Sequence, residues 1–200
     1  MNINYPKGIP SFRETTSQEK KIRKRVHTAA NRGMDFEKAI NTTNEYYLEK
    51  DLALITKRPT PINVVKVDYE HGCKIVSAYF EKQSTTDYNG VYKGHYLDFE
   101  AKTTNSKTSL PINNIPIQQI EHLKSVNKHG GIAFFLVYWR TLHEVYLIKA
   151  NDMIEYFENH ARKSMPYSEM KRIGHQVKES LRPRFDYLAL VETFLLEGEQ

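Results

Sequence analysis

Two acidic residues and a lysine near the middle of the chain have the types and the spacing that a metal-dependent phosphodiesterase needs. Asp87 lies in a polar segment, and Glu100 and Lys102 stand two residues apart in an alternating segment. Successive side chains of a β-strand point to opposite faces, so Glu100 and Lys102 would share one face, about 6–7 Å apart. Carboxylate oxygens bind Mg²⁺, and the bound metal activates water and neutralises phosphate charge. The lysine would orient that water or stabilise the transition state.

An ordinary solvated strand face is the alternative, because a three-residue motif matches many proteins by chance. The face that carries Glu100 and Lys102 also carries Asp98, whereas a merely solvated face would favour threonine, lysine or arginine over two carboxylates. The preceding segment, 84–90, is polar and turn-like, and site residues tend to lie in such segments on a rigid scaffold. The opposite face of the strand is apolar and predicts burial: Leu97, Phe99 and Ala101.

The charge of the chain favours a polyanionic partner. Its 200 residues suffice for one domain with a hydrophobic core, and 29 Lys+Arg against 24 Asp+Glu give a formal charge of +5. The excess is uneven, since residues 1–32 contain eight basic residues against two acids, Glu14 and Glu19. We therefore predict a flexible basic arm over residues 1–31 and a single nuclease domain over 32–200.

Several other function classes lack the residues they need. The single cysteine, Cys73, cannot form an internal disulfide and fits a reducing compartment. Cys73, His71 and His95 do not have the spacing of a zinc site, and the absence of a Gly-rich phosphate loop gives no support for ATP use. The longest apolar run, 132–139, is too short to span a bilayer, and no signal peptide precedes the core. These features predict a cytoplasmic protein with no membrane partner.

Hydrophobic periodicity and turn residues predict an α/β fold. A helix over 33–50 repeats apolar residues at helical spacing. Pro116 begins a second helix, which ends before a glycine pair, and the apolar run 132–138 is typical of a strand covered on both faces. The remaining predicted elements are strands over 52–56, 62–69, 74–80, 92–102 and 143–148 and helices over 116–128, 151–158 and 187–196. Together they predict a mixed β-sheet flanked by helices.

A predicted hairpin over 59–84 interrupts this core. Its two β-rich halves are joined at a glycine-containing loop, Glu70-His71-Gly72. Both halves carry apolar residues, such as Val64 and Val76. The hairpin would either extend the main sheet or project from it, and the residue pattern alone is compatible with both.

Around Asp87, Glu100 and Lys102, and in further segments given below, the chain resembles the RecU-type Holliday junction resolvases of low-GC Gram-positive bacteria. These belong to a nuclease superfamily whose cores share an Asp…(Asp/Glu)-x-Lys site. The wider superfamily often has proline before its first aspartate, whereas Thr86 stands before Asp87 here, as in the RecU pattern. The resemblance covers most of the chain and is weakest over the first 30 residues. The matching segments are RGM (32–34), FE (36–37), KRPTP (57–61), AYF (78–80), STTDYNGVY (84–92), DFEAK (98–102), QIEH (119–122) and GI (131–132).

The resemblance implies a restriction-endonuclease-like nuclease core with a projecting β stalk at 59–84. It also implies a site for Mg²⁺, with Mn²⁺ as an alternative cofactor, in which Lys102 acts on the transition state. The implied metal ligands are Thr85, Asp87, Glu100 and Gln119. The predicted catalytic residues are Asp87, Glu100 and Lys102. The predicted DNA-binding residues are Arg25, Arg32, Lys57 and Arg58.

The implied activity is a structure-selective endonuclease that resolves four-way DNA junctions by paired symmetric nicks. The products would carry 5′-phosphate and 3′-hydroxyl ends, and the process would serve homologous recombination, DNA repair and chromosome segregation. A four-way junction is nearly two-fold symmetric, so the partner of this chain would be a second copy in a C2 homodimer. The resemblance adds modulation of the recombinase RecA as a further role.

Two rival functions stay open on the residues alone. A sequence-specific restriction endonuclease shares the core but needs base-reading elements, and no recognisable reader module is present. A protein that bends junctions or regulates recombinase filaments would bind DNA with the carboxylates incidental to its function. Near the predicted site, we expect His122 to pack or to contact phosphate, and Glu37 to be an exposed helical residue.

Overall fold

The computed structural model of the chain describes residues 36–81, 85–113, 115–160 and 163–196. Its strands are β1 (Ala53–Lys57), β2 (Ile62–Asp68), β3 (Lys74–Phe80), β4 (Tyr88–Tyr92), β5 (His95–Thr104), β6 (Ser109–Pro111), β7 (Ile132–Trp139), β8 (Glu144–Lys149), β9 (Ser164–Pro166) and β10 (His175–Val177). Its helices are α1 (described from 36 to 49), α2 (Ile117–Lys128), α3 (Ala150–Asn159), α4 (Tyr167–Ile173) and α5 (Tyr187–Val191). A π-helical turn over Glu192–Leu196 continues α5.

A mixed six-stranded sheet forms the centre of the fold, in the order β1-β4-β5-β7-β8-β10. β5 and β7 are parallel, and the other neighbouring pairs in this sheet are antiparallel. A parallel pair needs a crossover connection, which α2 supplies. This helix begins after Pro116 and ends before Gly130, whose φ of 79° lies in the left-handed region. The predicted mixed α/β fold is confirmed.

Two hydrophobic cores lie on the two faces of the sheet. On one face, α1 and α5 pack over aromatic residues that include Phe99 and Phe134. On the other face, α2, α3 and α4 pack over residues that include Phe135 and Trp139. β7 contributes to both cores because its alternate side chains point to opposite faces. The predicted burial of the run 132–138 on both faces is confirmed.

A tight hairpin turn joins β4 to β5. Tyr92 pairs with His95, and the turn residues Lys93 and Gly94 have φ values of 48° and 82°. Positive φ at both central residues is the mark of a type I′ turn, whose twist matches that of the flanking strands. The predicted single strand over 92–102 is therefore wrong, because it merged the end of β4 with β5. Lys-Gly is a weaker turn signal than Asn-Gly or Asp-Gly, which explains the error.

A glycine in β4 allows β1 to lie close beside it. Gly90 pairs with Ile55, and a Cβ at Gly90 would lie only 2.1 Å from the carbonyl oxygen of Leu54. No larger residue fits without moving the β1 backbone. Because β1 leads directly into the segment that carries the hairpin, its attachment to β4 also fixes where the hairpin begins.

The hairpin of β2 and β3 projects from the core and does not extend the main sheet. Within the described ranges, these strands pair only with each other. All seven residues of β3 are exposed, as are the first five of β2. The exposed residues include large apolar side chains: Ile62, Val64, Val65, Ile75, Val76, Tyr79 and Phe80. The projecting stalk is confirmed, and the alternative of a sheet extension is wrong.

Several short elements of the second half were not predicted from the sequence. β6 pairs with β9 in a separate two-stranded sheet, β10 adds an edge strand beside β8, and α4 lies between β9 and β10. Strands of three residues are too short to show a period of two. None of the helices that the structure describes is long and apolar enough to cross a membrane.

Candidate active site

The β4–β5 register brings the two predicted catalytic acids side by side. Tyr88 pairs with Phe99, so Asp87, directly before β4, lies opposite Glu100 on β5. The backbone N–H of Asp87 donates a hydrogen bond to Glu100 Oε2 at 3.1 Å. The backbone N–H of Ala101 donates one to Asp87 Oδ2 at 3.2 Å. Each carboxylate is therefore oriented by the segment that carries the other.

Lys102 lies beside these acids on the same face of β5. Its Nζ forms an ion pair with Glu100 Oε1. The lysine side chain is 26% exposed, whereas that of Glu100 is 2% exposed. The ammonium group is therefore held at the carboxylates and still open to a phosphate that approaches from solvent.

The carboxylates on this face are buried. Asp98 is 0% and Glu100 is 2% exposed, while Leu97 and Phe99 fill the core on the opposite face. A solvated strand face would leave such carboxylates in water, so that alternative is wrong for β5. Burial of a charged group is costly unless partners compensate it, so Asp98 and Glu100 each need polar or charged groups around them.

Burial raises the pKa of Glu100 from 4.5 to about 7. Loss of solvation is the main cause, the ammonium group of Lys102 opposes it, and the nearby Asp87 carboxylate adds to it. Two carboxylates held together with little solvent repel each other, and a divalent cation between them would relieve that repulsion. The electrostatics of the pair therefore favour a bound cation.

Gln119 reaches the same place from α2. The side chain is buried, and its Nε2 donates a hydrogen bond to the backbone oxygen of Thr85 at 3.1 Å. This bond leaves the Oε1 atom buried without a hydrogen-bond partner among the described residues. A buried acceptor without a partner is unfavourable, and a metal ion is one group that would satisfy it.

The donor set fits a hard divalent cation. Asp87 and Glu100 offer carboxylate oxygens and Gln119 offers an amide oxygen, which are ligands suited to Mg²⁺ or Mn²⁺. The part of the chain that the structure describes holds no group of three or more His, Cys, Asp or Glu side chains suited to a metal. A site here therefore depends on neutral oxygens such as that of Gln119. The role predicted for Thr85 stays a prediction, although its backbone oxygen fixes the Gln119 amide.

A second polar cluster, centred on Asp98, adjoins the acids. Asp98 Oδ2 accepts hydrogen bonds from Arg58 Nη2 at 2.6 Å and from the Tyr96 hydroxyl at 2.9 Å. His122 Nε2 lies 2.9 Å from the same oxygen, and the Thr86 hydroxyl donates to Asp98 Oδ1. Alternation along β5 puts Tyr96 on the same face as Asp98, two residues away, so this partner could be found from the sequence. Arg58, Thr86 and His122 could not, because they belong to other segments of the chain.

The predicted DNA-binding residues lie in different settings. Arg58 points inward to Asp98 and its side chain is only 17% exposed. Lys57 is 40% exposed and pairs with Glu37 at the surface. Arg25 and Arg32 lie outside the described residues, as does the predicted basic arm over 1–31. Of the four, Lys57 is the described residue that is best placed to meet DNA.

The family model described as Recombination protein U matches residues 31–193, a range that spans the whole candidate site. The chain belongs to the RecU family. A relative from Streptococcus agalactiae serotype Ia, named Holliday junction resolvase RecU, is 48% identical over 203 residues, with 98% of each chain covered. A relative of the same name from Shouchella clausii is 44% identical over 202 residues, with 100% of this chain and 98% of that one covered. The resemblance stated from the sequence is confirmed.

A solved structure of Hjc from Archaeoglobus fulgidus, a Holliday junction resolvase from an archaeal hyperthermophile, is also similar to the chain. The TM-score is 0.39 and the identity 11%, over 68% of this chain and 93% of that one. A likeness this low carries no argument about the RecU site. Membership of the RecU family rests on the family model and the sequence relatives.

Proposed function

We propose that this RecU family chain is a Holliday junction resolvase, a metal-dependent endonuclease that cuts four-way DNA junctions. The observation that carries the proposal is the arrangement of the half-buried Asp87 and the buried Glu100, held side by side with Lys102 against Glu100. Relatives that are 44% and 48% identical over nearly the whole chain bear the name of this activity. Site and family therefore point to the same chemistry.

The ligands of the proposed metal site are Thr85, Asp87, Glu100 and Gln119. These residues would hold Mg²⁺ or Mn²⁺, which would supply a nucleophilic water at neutral pH and neutralise charge on the scissile phosphate. Lys102 stabilises the negative charge that grows on the phosphate oxygens, or orients the water. The attacking water forms a new bond to phosphorus as the bond to the 3′ oxygen breaks. The water gives up a proton and the departing 3′ oxygen takes one up, which leaves a 5′-phosphate end and a 3′-hydroxyl end.

The proposed cutting unit is a C2 homodimer that makes paired, symmetric nicks. A junction is nearly two-fold symmetric, and two sites related by the same symmetry meet equivalent strands. The exposed apolar side chains of the β2–β3 hairpin, which include Val65, Tyr79 and Phe80, support this, because a second chain would remove them from water. We place the hairpin at the junction centre, since only branched DNA has an opening there.

The proposed DNA contacts and cellular roles extend the same inference. Lys57, Arg25 and Arg32 would contact phosphates, which position the protein but carry no sequence information. The setting is the cytoplasm, in homologous recombination, DNA repair and chromosome segregation. Modulation of RecA is inferred from family membership.

Cleavage of a synthetic mobile four-way junction tests the function. The junction and a linear duplex of the same sequence are incubated with the protein in Mg²⁺, in Mn²⁺ and in EDTA, and the products are mapped on denaturing gels. We expect paired nicks on the junction only, and only with metal. Cutting of the duplex at a fixed sequence would indicate a restriction-type enzyme. Tight junction binding with no cut in either metal would indicate a binding protein. Either result would overturn the proposal.

A further inference from the structure

The first leg of the projecting hairpin, from Arg58 to the start of β2, leaves the core beside the candidate active site. On the other side of the hairpin, Glu81 directly follows β3, and Thr85 and Thr86 directly precede Asp87. The backbone N–H of Glu81 donates a hydrogen bond to the carbonyl oxygen of Pro61 at 3.0 Å, which closes the base of the hairpin. The two strands are therefore joined to each other at the point where the first leg enters β2.

Arg58 joins the first leg to Thr86 and Asp87. Its backbone N–H donates to the carbonyl oxygen of Asp87 at 2.8 Å, and its Nη1 donates to Thr86 Oγ1 at 3.0 Å. The linker between Arg58 and β2 contains Pro59 and Pro61, which fix their own φ and restrict the residues before them. A stiff linker passes a movement of β2 to Arg58 and absorbs little of it.

Asp98 fixes Arg58 to the sheet. This carboxylate is fully buried, and Arg58, Tyr96, Thr86 and His122 all meet it, three of them at 2.6 to 2.9 Å. A buried charge with a full set of partners holds those partners in place, because loss of any one leaves a group without compensation. Asp98 therefore binds three parts of the molecule together: the first leg of the hairpin, the segment before Asp87, and α2.

We propose that Arg58 and Asp98 form a clasp that couples the position of the projecting hairpin to the position of Asp87. The proposal rests on the proposed junction resolvase function, in which the hairpin meets the junction centre. The clasp holds Asp87 beside Glu100 for metal binding, and a junction seated on the hairpin would fix the first leg and so keep Asp87 in that position. Arg58 is in this view a positioning residue that acts through Asp87. Cutting would then depend on branched DNA, because only a junction seated on the hairpin fixes the first leg and, through the clasp, Asp87.

The setting of the guanidinium group favours this role over the DNA contact expected from the sequence. Nη1 is bound to Thr86, and Nη2 to Asp98 and Tyr96, so both terminal nitrogens have partners inside the protein. The neighbouring Lys57 has more than twice the exposed fraction, at 40% against 17%. A phosphate would reach Lys57 without breaking a buried ion pair.

Replacement of Arg58 separates positioning from phosphate binding. We expect Arg58→Ala to leave the salt dependence of junction binding unchanged. At saturating protein it should lower the single-turnover cutting rate by about 10-fold or more, and it should weaken Mn²⁺ binding, measured by EPR without DNA, by about 10-fold. Arg172→Ala is the matched control, because Arg172 is an exposed arginine on α4 that pairs with Glu169 of the same helix. It should match the wild type in all three measurements.

A phosphate contact predicts the opposite pattern. Loss of one such contact reduces the slope of log affinity against log salt by about 0.9. If Arg58→Ala showed that reduction with unchanged Mn²⁺ affinity, Arg58 would be a DNA-binding residue and the clasp would be wrong. Wild-type behaviour in all measurements would also overturn it. A wild-type protein that fails to cut junctions would refute the resolvase proposal. It would not affect the test of the positioning of Asp87, because Mn²⁺ affinity is measured without DNA.

A double-variant cycle tests the coupling itself. Replacement of the hairpin tip, residues 70–72, by a short turn should lower the cutting rate at saturating protein. In the Arg58→Ala background the same replacement should lower it little further, because the connection is already broken. A purely structural role for Arg58 gives independent losses that multiply, and that result would overturn the coupling.

Arg58→Lys covers the case in which Arg58→Ala does not fold. Lysine keeps a charge near Asp98, but its donors all lie on one nitrogen, so it cannot reach Thr86 and Asp98 with the planar fork of a guanidinium group. We expect a folded protein, as judged by circular dichroism, with the same losses to a smaller extent. A folded Arg58→Lys protein with wild-type Mn²⁺ affinity and cutting rate would show that the clasp does not set Asp87.

Discussion

Glu100 makes the metal-free protein less stable as the pH rises. Burial raises its pKa to about 7, whereas the unfolded chain releases the same proton near 4.5. Between these values the folded state binds more protons than the unfolded state, so the free energy of unfolding falls with increasing pH. The full difference corresponds to about 3 kcal/mol above pH 7. A divalent cation would offset this by favouring the ionised form, as expected of a metal ligand.

Glu100→Gln should therefore stabilise the metal-free protein at pH 8. The amide cannot ionise, so we expect a gain of about 1–3 kcal/mol in the free energy of unfolding in EDTA. The gain should nearly vanish at pH 4.5, where the folded wild type keeps its proton. Urea unfolding at both pH values measures it. Glu45→Gln, at an exposed glutamate on α1, should give no such pH-dependent gain. No gain at pH 8, or an equal gain at both, would contradict the cause assigned to the pKa.

The same site predicts a separation of cutting from binding. Asp87→Asn, Glu100→Gln and Lys102→Ala should each abolish or strongly reduce junction cutting. The first two weaken the metal site, and the third removes transition-state stabilisation worth on the order of 10²-fold or more. Junction affinity should stay close to wild type, because contacts to phosphates supply most of it. Single-turnover rates and gel-shift affinities measure both.

Glu155→Gln serves as the control for these variants, since Glu155 is an exposed acid on α3 outside the candidate site. It should cut as the wild type does. If Asp87→Asn, Glu100→Gln or Lys102→Ala also cut at the wild-type rate, the assigned site would be wrong.

At the scale of elements, the projecting hairpin should matter for branched DNA only. Replacing its tip, Glu70-His71-Gly72, with a short turn should weaken junction binding far more than duplex binding, because a duplex has no central opening. The apolar base near Val64 and Val76 is kept, so fold and oligomeric state should survive. Binding of both substrates is measured, with gel filtration as the control. Equal losses on the two substrates, or none, would remove the case for a junction-reading hairpin.

The elements that could be predicted are those whose burial imposes a period. β7 is covered on both faces and appears as an uninterrupted apolar run, and α2 is marked by a proline before it and a glycine after it. β4 was missed because Tyr88, Asn89 and Gly90 form an irregular, polar stretch, and its turn uses Lys93-Gly94. β10 has three residues and is held by pairing with β8, a contact that no local pattern encodes.

The residues of the candidate site likewise differ in whether a local sequence pattern reveals them. Glu100 and Lys102 were recognisable because they are near neighbours on one strand, and Asp87 because it precedes them in a polar segment. Gln119 depended on the resemblance to a family, since a lone glutamine has no local signal. Arg58 and His122, two partners of Asp98 from distant segments, are brought to it only by the folded chain. Contacts between distant segments are set by tertiary packing, which the residue pattern does not show.

At the scale of the whole chain, the basic excess of residues 1–32 should act through DNA phosphates. Deleting residues 1–25 should weaken junction binding and flatten its salt dependence, with a loss of about 0.9 in the log–log slope for each phosphate contact removed. A full-length variant with the basic residues of 1–25 changed to glutamine is the matched control and should behave as the deletion does. An unchanged slope in both would show that this segment does not bind DNA.

The symmetry of the proposed dimer leads to a final prediction. Asp87, Glu100 and Lys102 all belong to one chain and adjoin one another within one β4–β5 hairpin, so each subunit would hold a complete site. A dimer of one wild-type and one Asp87→Asn subunit should therefore make one nick per junction, because the wild-type partner cannot supply the missing carboxylate.

Differently tagged subunits, purified as mixed dimers, test this on a supercoiled plasmid that extrudes a cruciform. Two nicks placed across the junction in one binding event linearise the plasmid, whereas a single nick only relaxes it. We expect linear product from the wild type, nicked circles from the mixed dimer, and uncut plasmid from the Asp87→Asn homodimer. The homodimer must still bind the junction in a gel shift, which excludes loss of binding as the cause. Linear product from the mixed dimer in the wild-type proportion would mean that one site makes both cuts, and the assignment of one cut to each subunit would be wrong.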